Sequence, residues 1–265
     1  MEPSYDLVAN YHAHTYRCKH ASGTEREYVE KAIEGGFRIF GFSDHTPQPF
    51  PGDYVSSVRM DLDELEGYCN TVLDLKREYS RDIEILLGLE VENYPGLFDP
   101  LYEILKDYPI DYTIMGQHWT GGEPEGFISG RPTEDESVLE CYVNECIAAM
   151  ASGRILYLAH PDLLNFYGTD DIYDKHMLRL CKEALRLGIP LEVNLLGIDI
   201  NRHYPRKHFW ELVGQTGNQV VIGTDAHLVK NVYRPDLVKR AYEELIIPCG
   251  LKMVPDNKLE IRKIF

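Results

Sequence analysis

Tyr11-His12-Ala13-His14-Thr15-Tyr16-Arg17-Cys18-Lys19-His20 follows closely on a short apolar run, Leu7-Val8-Ala9. If that run is a strand, His12 and His14 leave its end on the same side, because strand side chains alternate with period two. Two imidazoles then converge on one point. His20 stands in a polar segment that ends in Ala21-Ser22-Gly23-Thr24, so a loop can return it over the same strand end. Neutral imidazole is a preferred ligand of divalent transition metals. The alternative is a chance pair of histidines on a solvated loop, and the downstream sequence decides between the two.

Downstream, short apolar runs alternate with longer amphipathic ones, the pattern of strand-helix units around a parallel sheet. Seven strands are predicted: Leu7–Ala9, Arg38–Phe42, Ile83–Leu87, Tyr112–Met115, Ile155–Leu158, Leu191–Val193 and Val220–Ile222. Helices are predicted to begin near Thr24, Asp61, Pro100, Glu134, Ile172, Arg206 and Pro235. Thr24 stands three residues before Glu27, the spacing of a capping box, and Pro235 suits a first helical turn. Gly35-Gly36, Gly153 and Gly188 fall where helices should stop before the next strand. The Gly-rich stretch 120–132 lacks the Gly-Lys-Ser/Thr end of a phosphate-binding loop, and reads as a mobile flap beside the site.

A chain of 265 residues can form one large α/β domain with a buried core, and no linker divides it, so residues 1–265 read as a single domain. With 44% hydrophobic and 26% charged residues, the composition is that of a soluble globular protein. No apolar run reaches the roughly 20 residues that span a membrane. The acidic start Met1–Asp6 lacks a secretory pattern, so the cytoplasm is the expected location. A net charge of −16 disfavours nucleic acid and anionic membrane as partners. The six cysteines show no CxxC spacing and read as reduced packing residues. Cys18, between Arg17 and His20, is the one placed to act as a soft ligand or an oxidation site.

The polar residues recur just past each predicted strand. Ser43-Asp44-His45 follows the second, Glu90 and Glu92 the third, Gly116-Gln117-His118 the fourth, His160-Pro161-Asp162 the fifth, and Asp225-Ala226-His227 the seventh. In a barrel of parallel strands these points all lie on the C-terminal rim, where active sites of such folds are built. A lone histidine at a strand end is usually a satisfied polar group; ligand-type residues at six strand ends are not coincidence. His176, His203 and His208 fall outside the pattern and read as surface or supporting residues.

These motifs resemble the PHP family of metal-dependent phosphoesterases, and they extend across nearly the whole chain. The resemblance implies a distorted (β/α)7, TIM-barrel-like fold with a trinuclear metal site at the C-terminal rim. By motif position, His12, His14, Glu90 and Asp225 would hold one ion. Glu90 would bridge to a second held by His118 and His160, and His20, His45 and His227 would hold a third. The run from His14 to Gly23, with Leu191-Glu192-Val193-Asn194 and Arg202-His203-Tyr204-Pro205, looks most like the histidinol-phosphatase branch.

The implied reaction is hydrolysis of L-histidinol phosphate to L-histidinol and phosphate, in histidine biosynthesis, by attack of a metal-bridging hydroxide. Asp225, His227 and Glu90 are the expected catalytic residues. Ser43 and Cys18 lack the base that an activated nucleophile needs. Arg17 is the first candidate for a phosphate clamp and Arg202 the second; Glu192 and Asn194 are expected either to orient the alcohol part of the substrate or to hold a ligand histidine from behind. Tyr16, Trp119 and Phe166 would offer it flat surfaces. The donor set suits up to three divalent ions per chain, Zn, Mn, Fe or Ni. The alternatives are another phosphoesterase of the family, acting on nucleotides or phosphotyrosine, and a non-catalytic metal-binding protein. Oligomeric state is open.

Overall fold

The computed structural model describes Tyr5, residues 7–262 and Ile264. Apart from Tyr5, the acidic start Met1–Asp6 lies outside the described residues. Four parallel strands form one curled sheet in the order β1 (Ala9–Asn10), β2 (Ile39–Phe42), β3 (Glu84–Val91) and β4 (Tyr112–Met115). A second sheet holds β7 (Leu191–Asn194), β8 (Gln219–Gly223) and β9 (Lys252–Met253), also parallel. Between them, β5 (Trp119–Thr120) and β6 (Phe127–Ile128) make a small antiparallel hairpin.

The fifth expected strand, Ile155–Leu158, is not a continuous ladder. Leu158 instead makes single parallel bridges to Met115 and to Leu191. The hydrogen bonds Ala159 N–Met115 O (2.7 Å) and Glu192 N–Leu158 O (3.0 Å) tie β4 to β7 through it. The ring closes at one bridge, Ala13 with Ala226, and by side chains: Thr224 Oγ1 donates to His12 O, and Asn257 Nδ2 to both Ala9 O and Ile222 O. Seven strand positions surround the barrel among the described residues, two of them held by bridges and side chains rather than full ladders, which is the expected distortion.

Helices cover the outside: α1 (Glu25–Glu34), α2 (Leu65–Glu78), α3 (Phe98–Leu105), α4 (Glu136–Ala151), α5 (Asp170–Leu187), α7 (Lys207–Thr216) and α8 (Pro235–Ala241), with a short α6 (Leu195–Asp199) that sequence reading missed. The Thr24–Glu27 capping box opens α1. Gly188 stops α5 in the left-handed region, φ 67°, which costs glycine nothing.

Period two sorts the strand residues. Phe40, Phe42, Leu87 and Leu89 face the helices in the main core, whereas Ile39, Leu86, Tyr112, Ile114 and Tyr157 fill the barrel interior. The inward row of β3 is Leu86, Gly88, Glu90. Gly41 and Gly88 leave room for the Tyr112 ring, since a Cβ there would lie 2.2 Å and 2.3 Å from it. Tyr112 thus plugs the barrel, and Glu90 emerges above the plug at the C-terminal rim.

The Gly-rich stretch is no free flap. Glu123, buried within it, accepts hydrogen bonds from Tyr54, Ser56 and Arg59, and Gly121 N donates to Glu145. Two buried carboxylates pin the hairpin down. All six cysteines are free thiols, and Cys18, Cys69, Cys146 and Cys181 pack in the interior. Among the described residues no helix is long and apolar enough to cross a membrane.

Candidate metal centre

The nine histidines and carboxylates expected at the strand ends meet on this rim. His12 Nε2 and His14 Nε2 lie 3.1 Å apart. Asp225 Oδ1 is 3.4 Å from the first and 3.3 Å from the second, and Glu90 Oε2 is 3.4 Å from His14 Nε2. Beside this group, Glu90 Oε1 is 3.0 Å from His160 Nε2 and 3.8 Å from His118 Nε2. On the other side His20 Nε2 and His227 Nε2 are 3.0 Å apart, and the rings of His14 and His45 stand 4.4 Å apart between their centres. Glu90 lies at the middle of the whole array.

Hydrogen bonding alone does not satisfy this cluster. His20 Nδ1 faces Cys18 O at 2.7 Å and His227 Nδ1 faces Asp225 O at 3.0 Å. A carbonyl only accepts, so each neutral ring spends its one proton there and keeps a lone pair at Nε2. Two lone pairs 3.0 Å apart need a cation between them. A second proton is disfavoured, because burial and the neighbouring His227 push His20 below its usual range. His45 Nδ1 and Glu90 Oε2 are likewise 3.0 Å apart, both buried, with no hydrogen bond made by either. Two nitrogens on one tetrahedral zinc, each at about 2.0–2.1 Å, would be roughly 3.3 Å apart. The donors fit divalent ions.

Behind the donors stand the groups that aim them. Glu192 is fully buried: Oε1 accepts from His12 Nδ1 (2.7 Å) and from the Tyr157 hydroxyl (3.2 Å), and Oε2 from His160 N (3.0 Å). A carboxylate on the far nitrogen of a ligating histidine fixes its tautomer and strengthens it as a donor. Asn194 Nδ2 donates to Glu192 and to Asp225 Oδ2, while its Oδ1 caps α6 at Gly197 N. Of the two roles expected for this pair, contact with the substrate's alcohol part and support of a ligand, the contacts made are of the second kind. Gly116 lies beneath them; a Cβ there would come 2.0 Å from Glu90 Oε1 and 2.4 Å from His160 Cε1. Glu92 Oε2 accepts from His118 N (2.8 Å) and Trp119 N (3.0 Å). Asp44 accepts from the backbone and hydroxyl of Thr15, and burial lifts its carboxyl to about 7.

Arg17 is also placed differently from expectation. Its guanidinium pairs with Glu25 at the start of α1, donates to Thr71 Oγ1 and lies over the rings of Tyr16 and Tyr68. Arg202 does reach the site. A cavity of about 270 Å³ is lined by His20, His45, His118, Asp225 and His227 together with Leu196, Arg202 and Tyr204. Tyr204, next to the predicted Arg202-His203 pair, supplies the aromatic surface; Phe166 is buried, and Tyr16 and Trp119 do not line the cavity. Ser43 Oγ bonds the backbone of Ala13 and has no base. Cys18 Sγ lies within 4.8 Å of donors of His20 and His227, but burial and then Asp44 push its thiol up to about 12. His176 and His208 pair with Glu136 and Asp174 on the helices, and His203 bonds Leu163 O.

The electrostatics follow the crowding. Burial and then His227 push His14 down to about 3. Burial works against a charge on His12, but Glu192, Asp225 and Glu90 outweigh it and hold that ring well above its usual range. Glu90 and Asp225 stay well below the carboxylate range despite burial, because histidines surround them. His160 and Asp225 have positive φ, 28° and 47°. Such backbone strain in non-glycine residues persists where surrounding contacts over-determine it, as at functional sites.

Two curated relatives bear the name "probable histidinol-phosphatase". That of Deinococcus radiodurans is 28% identical over 225 residues, covering 82% of this chain and 85% of its own length. That of Schizosaccharomyces pombe is 25% identical over 244 residues, covering 82% and 79%. A solved histidinol phosphate phosphatase from Lactococcus lactis, in complex with zinc, L-histidinol and phosphate, superposes with a TM-score of 0.70 at 19% identity, over 96% of this chain and 99% of that one; it shares the fold. Residues 10–203 match the PHP domain, a span that contains seven of the nine converging donors, and the chain belongs to the PHP family.

Proposed function

We propose that the chain is a metal-dependent phosphatase that hydrolyses L-histidinol phosphate to L-histidinol and phosphate, acting in the cytoplasm as a step of histidine biosynthesis. The observation that carries the reading is the facing pair of lone pairs on His20 and His227, 3.0 Å apart, in a cavity that Arg202 also lines. The names of the two relatives and the ligands of the Lactococcus lactis enzyme support the same substrate. The reading treats residues 1–265 as one domain with a small phosphomonoester as its partner, and neither nucleic acid nor membrane.

His12, His14, Glu90 and Asp225 would hold one ion; Glu90, His118 and His160 a second; His20, His45 and His227 a third. Zinc heads the candidates, with manganese, iron and nickel compatible with the same donors. Bound cations acidify water toward neutrality and neutralise phosphoryl oxygens. The chain's own residues do the rest. Arg202 can take two phosphoryl oxygens in its planar fork. Asp225 and His227, 3.3 Å apart, are placed to move the proton, and Tyr204 and Leu196 shield the reacting group from water.

The test is a substrate panel with the metal-loaded protein, comparing kcat/KM for L-histidinol phosphate, an aryl phosphate, phosphotyrosine and a nucleotide. One charge-assisted contact of roughly 1.5–3 kcal/mol gives about 10- to 150-fold discrimination, so histidinol phosphate should lead by at least that lower figure. Equal values across the panel would remove the histidinol assignment and leave a general phosphatase. No hydrolysis with any of the four metals would remove both.

A further inference from the structure

Leu196, Arg202 and Tyr204 line the metal cavity and belong to one segment, residues 195–206, which runs from the end of β7 through α6 to the start of α7. Arg202 is exposed; its guanidinium lies over the Tyr204 ring, 5.9 Å from the ring centre, and donates to the Tyr204 hydroxyl at 3.4 Å. An arginine has much rotamer freedom to lose when it is fixed. A side chain held by so little takes its place from the backbone beneath it.

That backbone is tied at both ends to groups beside metal ligands. At its entry Asn194 Oδ1 accepts from Gly197 N, while Asn194 Nδ2 donates to Asp225 Oδ2. At its exit Asp162, two residues after His160, accepts from Arg206 N through Oδ2 at 2.5 Å. Around this bond, His203 Nε2 lies 2.7 Å from Leu163 O and Arg206 Nη1 donates to Phe166 O. Asp162 is the buried member of the group, 3% exposed.

A buried carboxyl is costly unless its oxygens are used, so its use here needs a reason. Helix capping alone is not one. Arg206 stands at the N-cap of α7 with an extended backbone, φ −85° and ψ 116°, and its own side chain makes no cap. Ser, Thr, Asp or Asn at that position would serve the helix as well, without burying a carboxyl in another loop. A cap that arrives from the loop after His160 does one thing that a local cap does not. It locks the segment carrying Arg202 to the segment carrying a metal ligand.

We propose that Asp162 is a positioning residue for the phosphate clamp: by holding Arg206 N it sets the backbone of residues 202–206, and with it the reach of the Arg202 guanidinium over the metals. The proposal rests on the reading of Arg202 as that clamp. The test is a double-mutant cycle on the metal-loaded full chain, with the affinity for inorganic phosphate read by calorimetry and bound metal by elemental analysis. Arg202→Met should weaken phosphate binding at least about tenfold, the lower value of one charge-assisted hydrogen bond. Asp162→Ala should weaken it about tenfold in the wild-type background, with the metal content unaltered, and by less than about twofold in the Arg202→Met background. Asp162→Asn, which keeps an oxygen for Arg206 N, should recover most of the loss. Equal weakening in both backgrounds, no weakening, a lowered metal content, or an Asn variant as weak as Ala would each overturn the role of Asp162. Unaltered phosphate affinity in Arg202→Met alone would instead remove the clamp, and the positioning role with it. If Asp162→Ala does not fold, Asp162→Ser, whose hydroxyl stops short of Arg206 N, decides by the same cycle.

Discussion

Two buried charged clusters sit side by side on the same rim, and they are built on opposite terms. Around Arg59 every charge is answered within the chain: its guanidinium donates to Glu92 Oε1 (2.7 Å), Glu123 Oε2 (2.7 Å), the Tyr94 hydroxyl (2.8 Å) and Thr46 O (3.3 Å). Around Glu90 the charges are not answered. Glu90 Oε2 and His45 Nδ1, 3.0 Å apart, make no hydrogen bond, and the Nε2 lone pairs of His20 and His227 face one another at 3.0 Å. A buried polar group without a partner is costly, so the second cluster is stable only with something added to it. The closed cluster is structural; the open one is a site. The two also touch, because Glu92 serves both, accepting from Arg59 and from the backbone of His118.

Substitution should separate them. Glu90→Gln removes the carboxylate that lies between the donor groups, and turnover should fall at least about 10³-fold, roughly 4 kcal/mol of barrier, with the circular dichroism of the wild type. An unfolded variant would break the distinction, since the open cluster would then also be holding the fold. Arg59→Met should do the reverse. It strands two buried carboxylates, and removing one partner of a buried pair costs about 3–5 kcal/mol, which urea unfolding of the purified variant would measure. Wild-type stability there would show that the closed cluster is closed only on paper.

Glu192→Gln makes a finer cut, between a ligand and the group that aims it. Loss of a carboxylate behind a ligating histidine typically lowers metal affinity about 10- to 100-fold. Competition with a chromophoric chelator would read this directly, and an unaltered affinity would return Glu192 to the other role expected for it, against the substrate. The remaining effect is a pH dependence, spread over more than two pH units. Burial lifts the Glu145 carboxyl from 4.5 to about 7, so between those values the folded chain holds a proton that the unfolded chain has released. Its favourable contribution is complete below about 4.5 and is lost as pH rises to about 7, a loss of roughly 3 kcal/mol at most. Thermal unfolding of Glu145→Gln at pH 5 and 7 should show a shallower fall than wild type. Parallel profiles would assign the slope to other groups.

The two clusters were not equally legible. Eight of the nine donors of the open one could be named from their place after an apolar run, since period two and a parallel sheet send every strand end to one rim; His20 came from its loop beside the first strand. Arg59 carries no such mark: it stands in a loop, far in sequence from Glu92 and Glu123, and nothing local ties it to either. The same limit explains the substrate contacts. Arg17 lies within the first metal segment, yet α1 and α2 bring Glu25 and Thr71 to it. Glu192 and Asn194 end a strand as the ligands do, but their side chains turn behind His12 and Asp225.

By itself, then, the sequence determined the seven-strand α/β order, the helix caps at Thr24 and Gly188, and the donors that gather at the rim. These depend on spacing along the chain, and spacing is local. Only the tertiary structure decided which donors face one another, which carboxylates aim them, which arginine reaches the cavity, and that the Gly-rich hairpin is pinned. Each of those is a choice among side chains brought together from distant segments, made by packing and by the cost of leaving a buried polar group unpaired.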